Sequence, residues 1–274
     1  MSRRPAWWLD VLRIYWPLNH LIARATSLPL IGRILTILTM PLFGKKHFNI
    51  SYIPVNIRIE PEGSTVLAER IIKELIYRST HRVIINRCSC RDSKKCKTYP
   101  AEDSCLLLGE DTKVVDPKIA RHVSIEEAIR HLRQKISAGL IPMTGRVRMD
   151  DLYYGVPNRK RMLTVCFCCP CCCTILNSAK YFPEEIRSSL VRMTNMAITV
   201  DRSICKNCGT CIEACFTKAI SSVGGIIFRN DKICIGCGRC VTVCPEKATV
   251  ISIDNIDEAV DELMKRIAER VSVE

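Results

Sequence analysis

Eight of the eighteen cysteines in this 274-residue chain repeat one pattern twice, and that repeat constrains the fold more than any other feature. "SICKNCGTCIEACFTKAI" begins at Ser203 and "KICIGCGRCVTVCPEKATVISI" at Lys232. Each contains C-x2-C-x2-C-x3-C: Cys205, Cys208, Cys211 and Cys215, then Cys234, Cys237, Cys240 and Cys244. The copies align at an offset of 29 residues, which also superimposes Ile204 on Ile233, Gly209 on Gly238, Lys218 on Lys247 and Ala219 on Ala248. Such a repeat implies two similar supersecondary units about a pseudo-two-fold axis.

Three thiolates in a tight loop can cap three corners of an iron–sulfur cubane, and the fourth corner needs a ligand from elsewhere. Gly209 and Gly238 suit positions where the turn needs a positive φ or a side chain would crowd the cluster. Residues 198–253, about a fifth of the chain, resemble the bacterial-type two-[4Fe-4S] ferredoxins. The resemblance implies crossed ligation. One cluster is expected on Cys205, Cys208, Cys211 and Cys244, the other on Cys234, Cys237, Cys240 and Cys215. Pro245 follows Cys244 as in that family, but Phe216 stands where the first motif has proline. The two potentials therefore need not match. Such a pair of clusters is a segment of wire with no substrate pocket of its own, and electron transfer is the function implied.

The other ten cysteines lie in residues 51–197, at Cys88, Cys90, Cys96, Cys105, Cys166, Cys168, Cys169, Cys171, Cys172 and Cys173. Clustered thiols at short spacing point to metal ligands and a reducing, anaerobic cytoplasm, since a chain of this length needs no disulfide staples. "STVLAERIIKELIYRST" places Leu67, Ile71, Leu75 and Ile76 on one helical stripe behind a Ser64 cap. Val83–Ile85 forms an apolar strand ending in Cys88-x-Cys90. "SIEEAIRHLRQKISAGL" is a second helix, with a capping box at Ser124 and Glu127 and a stop at Gly139. Met162–Val165 repeats the strand device, ending in Cys166-x-Cys168. Parallel neighbouring strands would bring both thiol groups to one edge of a small α/β sheet. The ten thiols then form one metal-binding region able to hold one or two further iron–sulfur clusters, with tetrathiolate zinc the alternative. The arrangement is similar to larger ferredoxin-type proteins of strict anaerobes, where CxCR…C…C and CxCCxCCC segments precede a two-cluster module.

The formal charge of +13 counts every cysteine as neutral. A [4Fe-4S] core on four thiolates carries roughly −2 when oxidised, so the basic residues read as counter-charges for clusters. No aromatic-basic strip supports nucleic acid binding, and neither a P-loop nor G-x-G-x-x-G supports nucleotide. His20, His47, His81, His122 and His131 are scattered, with His131 expected in solvent. Glu126–Glu127 and Glu184–Glu185 fall at helix starts, where they complement the macrodipole.

Residues 1–50 hold Trp7, Trp8, Trp16 and seven Lys/Arg against the single acid Asp10. Pro5, Pro17, Pro29 and Pro41 are expected to break them into short amphipathic pieces, one with Ile31, Ile34, Leu35, Leu38 and Leu42 on a face opposite Arg33, Thr36 and Thr39. Helices of this composition dock at a membrane interface or on a partner subunit, and no run is long enough to span a bilayer. Ser2-Arg3-Arg4 lacks the apolar core of a secretion signal after it. Residues 254–274 form a further amphipathic helix.

The expected chain is thus an α+β protein. A docking segment (1–50) and a Cys-rich α/β domain (51–197) precede a ferredoxin-like two-cluster domain (198–253) and the terminal helix (254–274). It carries electrons between redox protein partners at the inner face of a membrane, as a subunit of an oxidoreductase rather than an enzyme by itself. A reductase with an open-coordinated cluster in the Cys-rich domain is the alternative.

Overall fold

A computed structural model describes residues 4–55, 57, 66–102 and 104–274, so Ser2, Arg3 and the Ser64 cap lie outside the described residues. The chain opens with helices α1 (Trp8–Ala25) and α2 (Pro29–Phe43), followed by β1 (Phe48–Tyr52), α3 (Leu67–Arg78), β2 (Arg82–Ile85) and α4 (Ser89–Ser93). Next come β3 (Leu106–Leu108), β4 (Ala120–His122), α5 (Ile125–Ser137), β5 (Ile141–Val147), α6 (Arg148–Tyr154), β6 (Leu163–Cys168), α7 (Thr174–Ser178) and α8 (Glu184–Arg187). The carboxy-terminal part runs β7 (Met196–Val200), α9 (Thr210–Ala214), β8 (Ile220–Val223), β9 (Ile226–Arg229), α10 (Arg239–Val243), β10 (Thr249–Ile253) and α11 (Ile256–Ala268).

A six-stranded sheet in the order β1-β5-β6-β3-β2-β4 forms the centre, and every neighbouring pair is antiparallel. The fold is mixed α+β. The two strands that lead to the C-x-C pairs, β2 and β6, are parallel to each other but not neighbours. β3 lies between them, antiparallel to both. Their carboxy-terminal ends still meet at one edge, and Cys105, just before β3, joins them there because β3 starts from that edge.

Each sheet face buries its own core. Leu163, Val165 and Phe167 of β6 pack with Leu67, Ile71, Ile72, Leu75 and Ile76 of α3 and with Leu263 and Ile267 of α11. The capping box of α5 forms as the sequence implies: Glu127 N donates to Ser124 Oγ (3.2 Å) and Ser124 N to Glu127 Oε2 (3.0 Å). Gly139 beyond it has φ 78°, the left-handed conformation of a helix stop. His131, expected in solvent, is instead buried, with Nε2 3.0 Å from the carbonyl of Ser104 and its ring against Phe167.

On the opposite face, Met143, Cys166 and Cys168 lie under the amino-terminal helices. The prolines do not cut that segment into short pieces. Pro29 starts α2 at a position whose N–H is unpaired in any helix, while Pro17 and Pro41 sit inside α1 and α2. Tertiary contacts hold α1 through the interruption: Trp8 Nε1 donates to the Tyr153 carbonyl (2.6 Å), Arg87 pairs with Asp10 (2.9 Å), and His20 meets Ser178 Oγ (3.2 Å). α2 presents Ile31, Ile34, Ile37 and Leu38 outward, 56–67% exposed, while Thr39, Leu42 and Phe43 face the protein. Among the described residues no helix is long and apolar enough to cross a membrane.

α11 covers one core face and ties the carboxy-terminal unit to the rest. Arg266 Nη2 donates to Ser51 Oγ of β1 (2.7 Å), and Arg70 of α3 pairs with Asp257 (2.6 Å).

Candidate metal centres

The eight repeated cysteines form two quartets. One cavity is lined by Cys205, Cys208, Cys211 and Cys244, and a second by Cys215, Cys234, Cys237 and Cys240. In each half a short helix, α9 or α10, follows a left-handed glycine: Gly209 at φ 80° and Gly238 at φ 72°. A β-carbon on Gly209 would touch nothing within 4 Å, so the turn and not crowding calls for glycine there. Backbone N–H groups point at the last cysteine of each motif, Ala219 N to Cys215 Sγ (3.2 Å) and Ala248 N to Cys244 Sγ (3.3 Å). Four thiols and inward amides suit a cubane in each cavity.

Surroundings separate the quartets. Cys208 is exposed, and hydrogen bonds from Thr210 hold its thiol below the usual range. On the inner side, burial pushes Cys237 up to about 12 and Cys240 up to about 11. Cys237 packs in one apolar cluster with Phe216, Ile235, Tyr52, Cys168 and Cys173. Phe216, the departure from the ferredoxin motif, is therefore part of the contact between the two-quartet unit and the Cys-rich sheet.

The ten other thiols divide by strand alternation. Successive residues of an extended strand point to opposite faces. Cys166 and Cys168 of β6 face α1 and α2, whereas Cys169 falls on the face of α3 and α11. Cys169 joins Cys96, Cys171 and Cys172 in a group whose four Sγ atoms all lie within 4.8 Å of one another. Among the described residues no other set of three potential ligand side chains closes up so tightly. Tetrahedral coordination at a metal–sulfur distance of about 2.3 Å separates thiolates by about 3.8 Å, so the group has the size of a tetrathiolate site for one metal ion. Cys96 Sγ lies 3.4 Å from Cys171 Sγ. Against the cost of burial, the backbone N–H groups of Tyr99 and Thr98 hold Cys96 down to about 7.

Cys88, Cys90, Cys105, Cys166, Cys168 and Cys173, with Cys169 of the compact group at its border, line a cavity of about 210 Å³ roofed by Tyr15, Trp16 and Asn19 of α1. Here Cys105 Sγ and Cys166 Sγ are 3.0 Å apart, and Cys168 Sγ and Cys173 Sγ 3.3 Å. Cys90 accepts from Trp16 Nε1 (3.2 Å) and Thr174 N (3.4 Å). Its hydrogen bond with Cys88 and those from Thr174 and Trp16 bring it down to about 6.

Several groups around these thiols carry no signal in the sequence. Arg91 is buried at 1% exposure and donates to the Phe167 carbonyl. Burial opposes its charge, yet the thiols of Cys88, Cys169 and Cys105 raise its pKa, so it brings positive charge to both thiol groups. Asp150 borders the six-thiol cavity, accepts from Thr164 Oγ1 (2.7 Å), and is pushed up to about 7 by burial. Tyr52 is buried at 1% exposure, and its hydroxyl has no hydrogen-bond partner. Of the scattered histidines, two come together at the sheet edge: His81 Nε2 lies 2.7 Å from His122 Nδ1.

Residues 204–249 match the family of 4Fe-4S dicluster domains. This carboxy-terminal unit is a 4Fe-4S dicluster domain. No curated protein matches the chain. The dicluster domain implies two [4Fe-4S] clusters and ferredoxin-type electron transfer, and the chain carries in addition a Cys-rich region with a four-thiol group of metal-site size.

Proposed function

We propose that this chain is an electron relay that takes electrons from a soluble redox partner at the exposed quartet and passes them inward toward the Cys-rich domain. The observation that carries this reading is the graded burial of the two quartets: Cys208 stands in solvent, while Cys240 is buried and the half-buried Cys237 lies against the sheet. Bound [4Fe-4S] clusters supply one-electron chemistry at low potential. Cys205, Cys208, Cys211 and Cys244 hold the outer cluster, and Cys234, Cys237, Cys240 and Cys215 the inner one. Phe216, Ile235 and Ile198 line the inner quartet and exclude water from it. The compact group of Cys96, Cys169, Cys171 and Cys172 holds one ion, zinc or iron, that fixes the cysteine-rich turn after β6.

The apolar outward face of α2, with Arg33 beside it and Trp7 exposed on the same amino-terminal segment, docks the protein on a membrane surface or a membrane subunit. Its setting is the inner face of the membrane in an anaerobic cytoplasm.

Anaerobic purification followed by iron, sulfide and zinc assay and stepwise reduction tests the relay. At least about 8 Fe per chain and two magnetically interacting one-electron centres are expected. Zinc in place of iron at the two quartets, or quartets that cannot be reduced, would sink it.

A further inference from the structure

The six-thiol cavity demands more than the one-metal group can explain. A single tetrahedral ion uses four thiolates. Here, besides Cys169 of that group, six converge on one cavity from four separate places in the chain: Cys88 and Cys90 after β2, Cys105 before β3, Cys166 and Cys168 in β6, and Cys173 before α7. None of them is in a disulfide. No three close within 4.8 Å, so they ring a space larger than one ion fills.

Two further observations point to a sulfur-rich anionic occupant. Trp16 and Thr174 aim N–H groups at Cys90 Sγ, the kind of donor that stabilises a metal-bound thiolate. Tyr52, buried and unpartnered at its hydroxyl, packs in one cluster with Cys168 and Cys173 of this cavity and with Cys237 of the inner quartet. A hydroxyl desolvated without a partner is costly, and an acceptor supplied by a bound cluster relieves that cost.

We infer that Cys88, Cys90, Cys105, Cys166, Cys168 and Cys173 hold a polynuclear iron–sulfur cluster, separate from the Cys96 group and joined to the dicluster domain across Tyr52. This rests on the relay reading in one respect only, the supply of electrons; the site itself is defined by its own ligands. Cys169, one residue past β6, borders this cavity too, but its sulfur closes up with those of Cys96, Cys171 and Cys172, which leaves the other six to the cavity.

Iron and acid-labile sulfide are measured per chain on the full-length protein, purified anaerobically, as wild type, Cys105→Ser/Cys166→Ser and Cys96→Ser/Cys171→Ser. The first variant is expected to lose about four iron and four sulfide together while keeping the paramagnetic signals of the dicluster domain. The second is expected to lose one metal ion and no sulfide. Unchanged sulfide in the first variant, or the same sulfide loss in both, overturns the inference. Where the first variant does not fold, stepwise anaerobic loading of the metal-free wild-type chain with iron and sulfide decides. Uptake that ends near 8 sulfides overturns the site, and uptake near 12 or above supports it. Tyr52→Phe is expected to keep the full iron count and alter the low-temperature spectrum of the six-thiol site alone. An unreactive dicluster domain with the six-thiol loss intact would defeat the relay and leave this site standing.

Discussion

Cys168 and Cys169 are adjacent in the chain and lie on opposite faces of the six-stranded sheet, one beneath the amino-terminal helices and the other beside α3 and α11. A single peptide unit thus joins a thiol of the compact four-cysteine group to one beneath the amino-terminal helices. β6 ends at Cys168, and the carbonyl of its Phe167 accepts from the buried Arg91.

The exposed position of Cys208 makes the outer quartet the vulnerable one. Cys208→Ser is expected to lose up to about four irons on dilution or brief air exposure while the inner cluster persists. Iron assay with circular dichroism before and after exposure checks this, and equal loss from both quartets would contradict the burial gradient.

Phe216 packs between the dicluster domain and the Cys-rich sheet. Phe216→Ala should lower stability by about 2–3 kcal/mol, less than a fully buried phenylalanine costs, without removing iron. Phe216→Pro, which restores the ferredoxin motif, should also keep the iron and loosen the contact. Denaturant unfolding and proteolysis between the two units measure both.

Arg146 and Asp151 are 1% and 2% exposed and joined by a bidentate pair, with Asn158 Oδ1 accepting from Arg146 Nη2 at 2.8 Å. Arg146→Met strands a buried carboxylate and is expected to cost about 3–5 kcal/mol. The double change Arg146→Met/Asp151→Leu should recover much of that, as thermal or chemical unfolding would show.

His20 seats α1 on Ser178 and Tyr181, and burial, followed by the charges of Lys94, Arg24 and Lys180, lowers its pKa below 6.5. With the docked form less basic than the released form, protonation favours release. The seating is therefore full above about pH 6.5 and weakens as pH falls from there toward the docked pKa. Hydrogen exchange of residues 8–25 should quicken at pH 5.5 relative to pH 7.5 beyond the intrinsic change, and His20→Gln should abolish the difference.

Trp16 donates to both Cys90 Sγ and Thr174 Oγ1, at 3.2 and 2.7 Å. Trp16→Phe keeps an aromatic ring near Tyr153 and removes the donor. A lower reduction potential for the site containing Cys90, with unchanged iron, is the expected outcome in a redox titration.

What the sequence determined is local. The doubled cysteine spacing specifies two similar halves, because a left-handed Gly209 or Gly238 and a short helix after it depend only on nearby residues. The stripe of Leu67, Ile71, Leu75 and Ile76 and the capping box at Ser124 are legible for the same reason. Long-range pairing decided the rest. Nothing in the chain announces that β3 inserts between β2 and β6, or that within the ten thiols Cys96, Cys169, Cys171 and Cys172 close up into a compact group. His131 read as solvated because helical periodicity cannot show that a carbonyl, here of Ser104, waits on the neighbouring strand connection. Trp16 and Tyr52 reach the thiols across 74 or more residues of chain, and only burial of both sheet faces brings them there. Strand alternation was written in the sequence; which face met which helix was settled by packing.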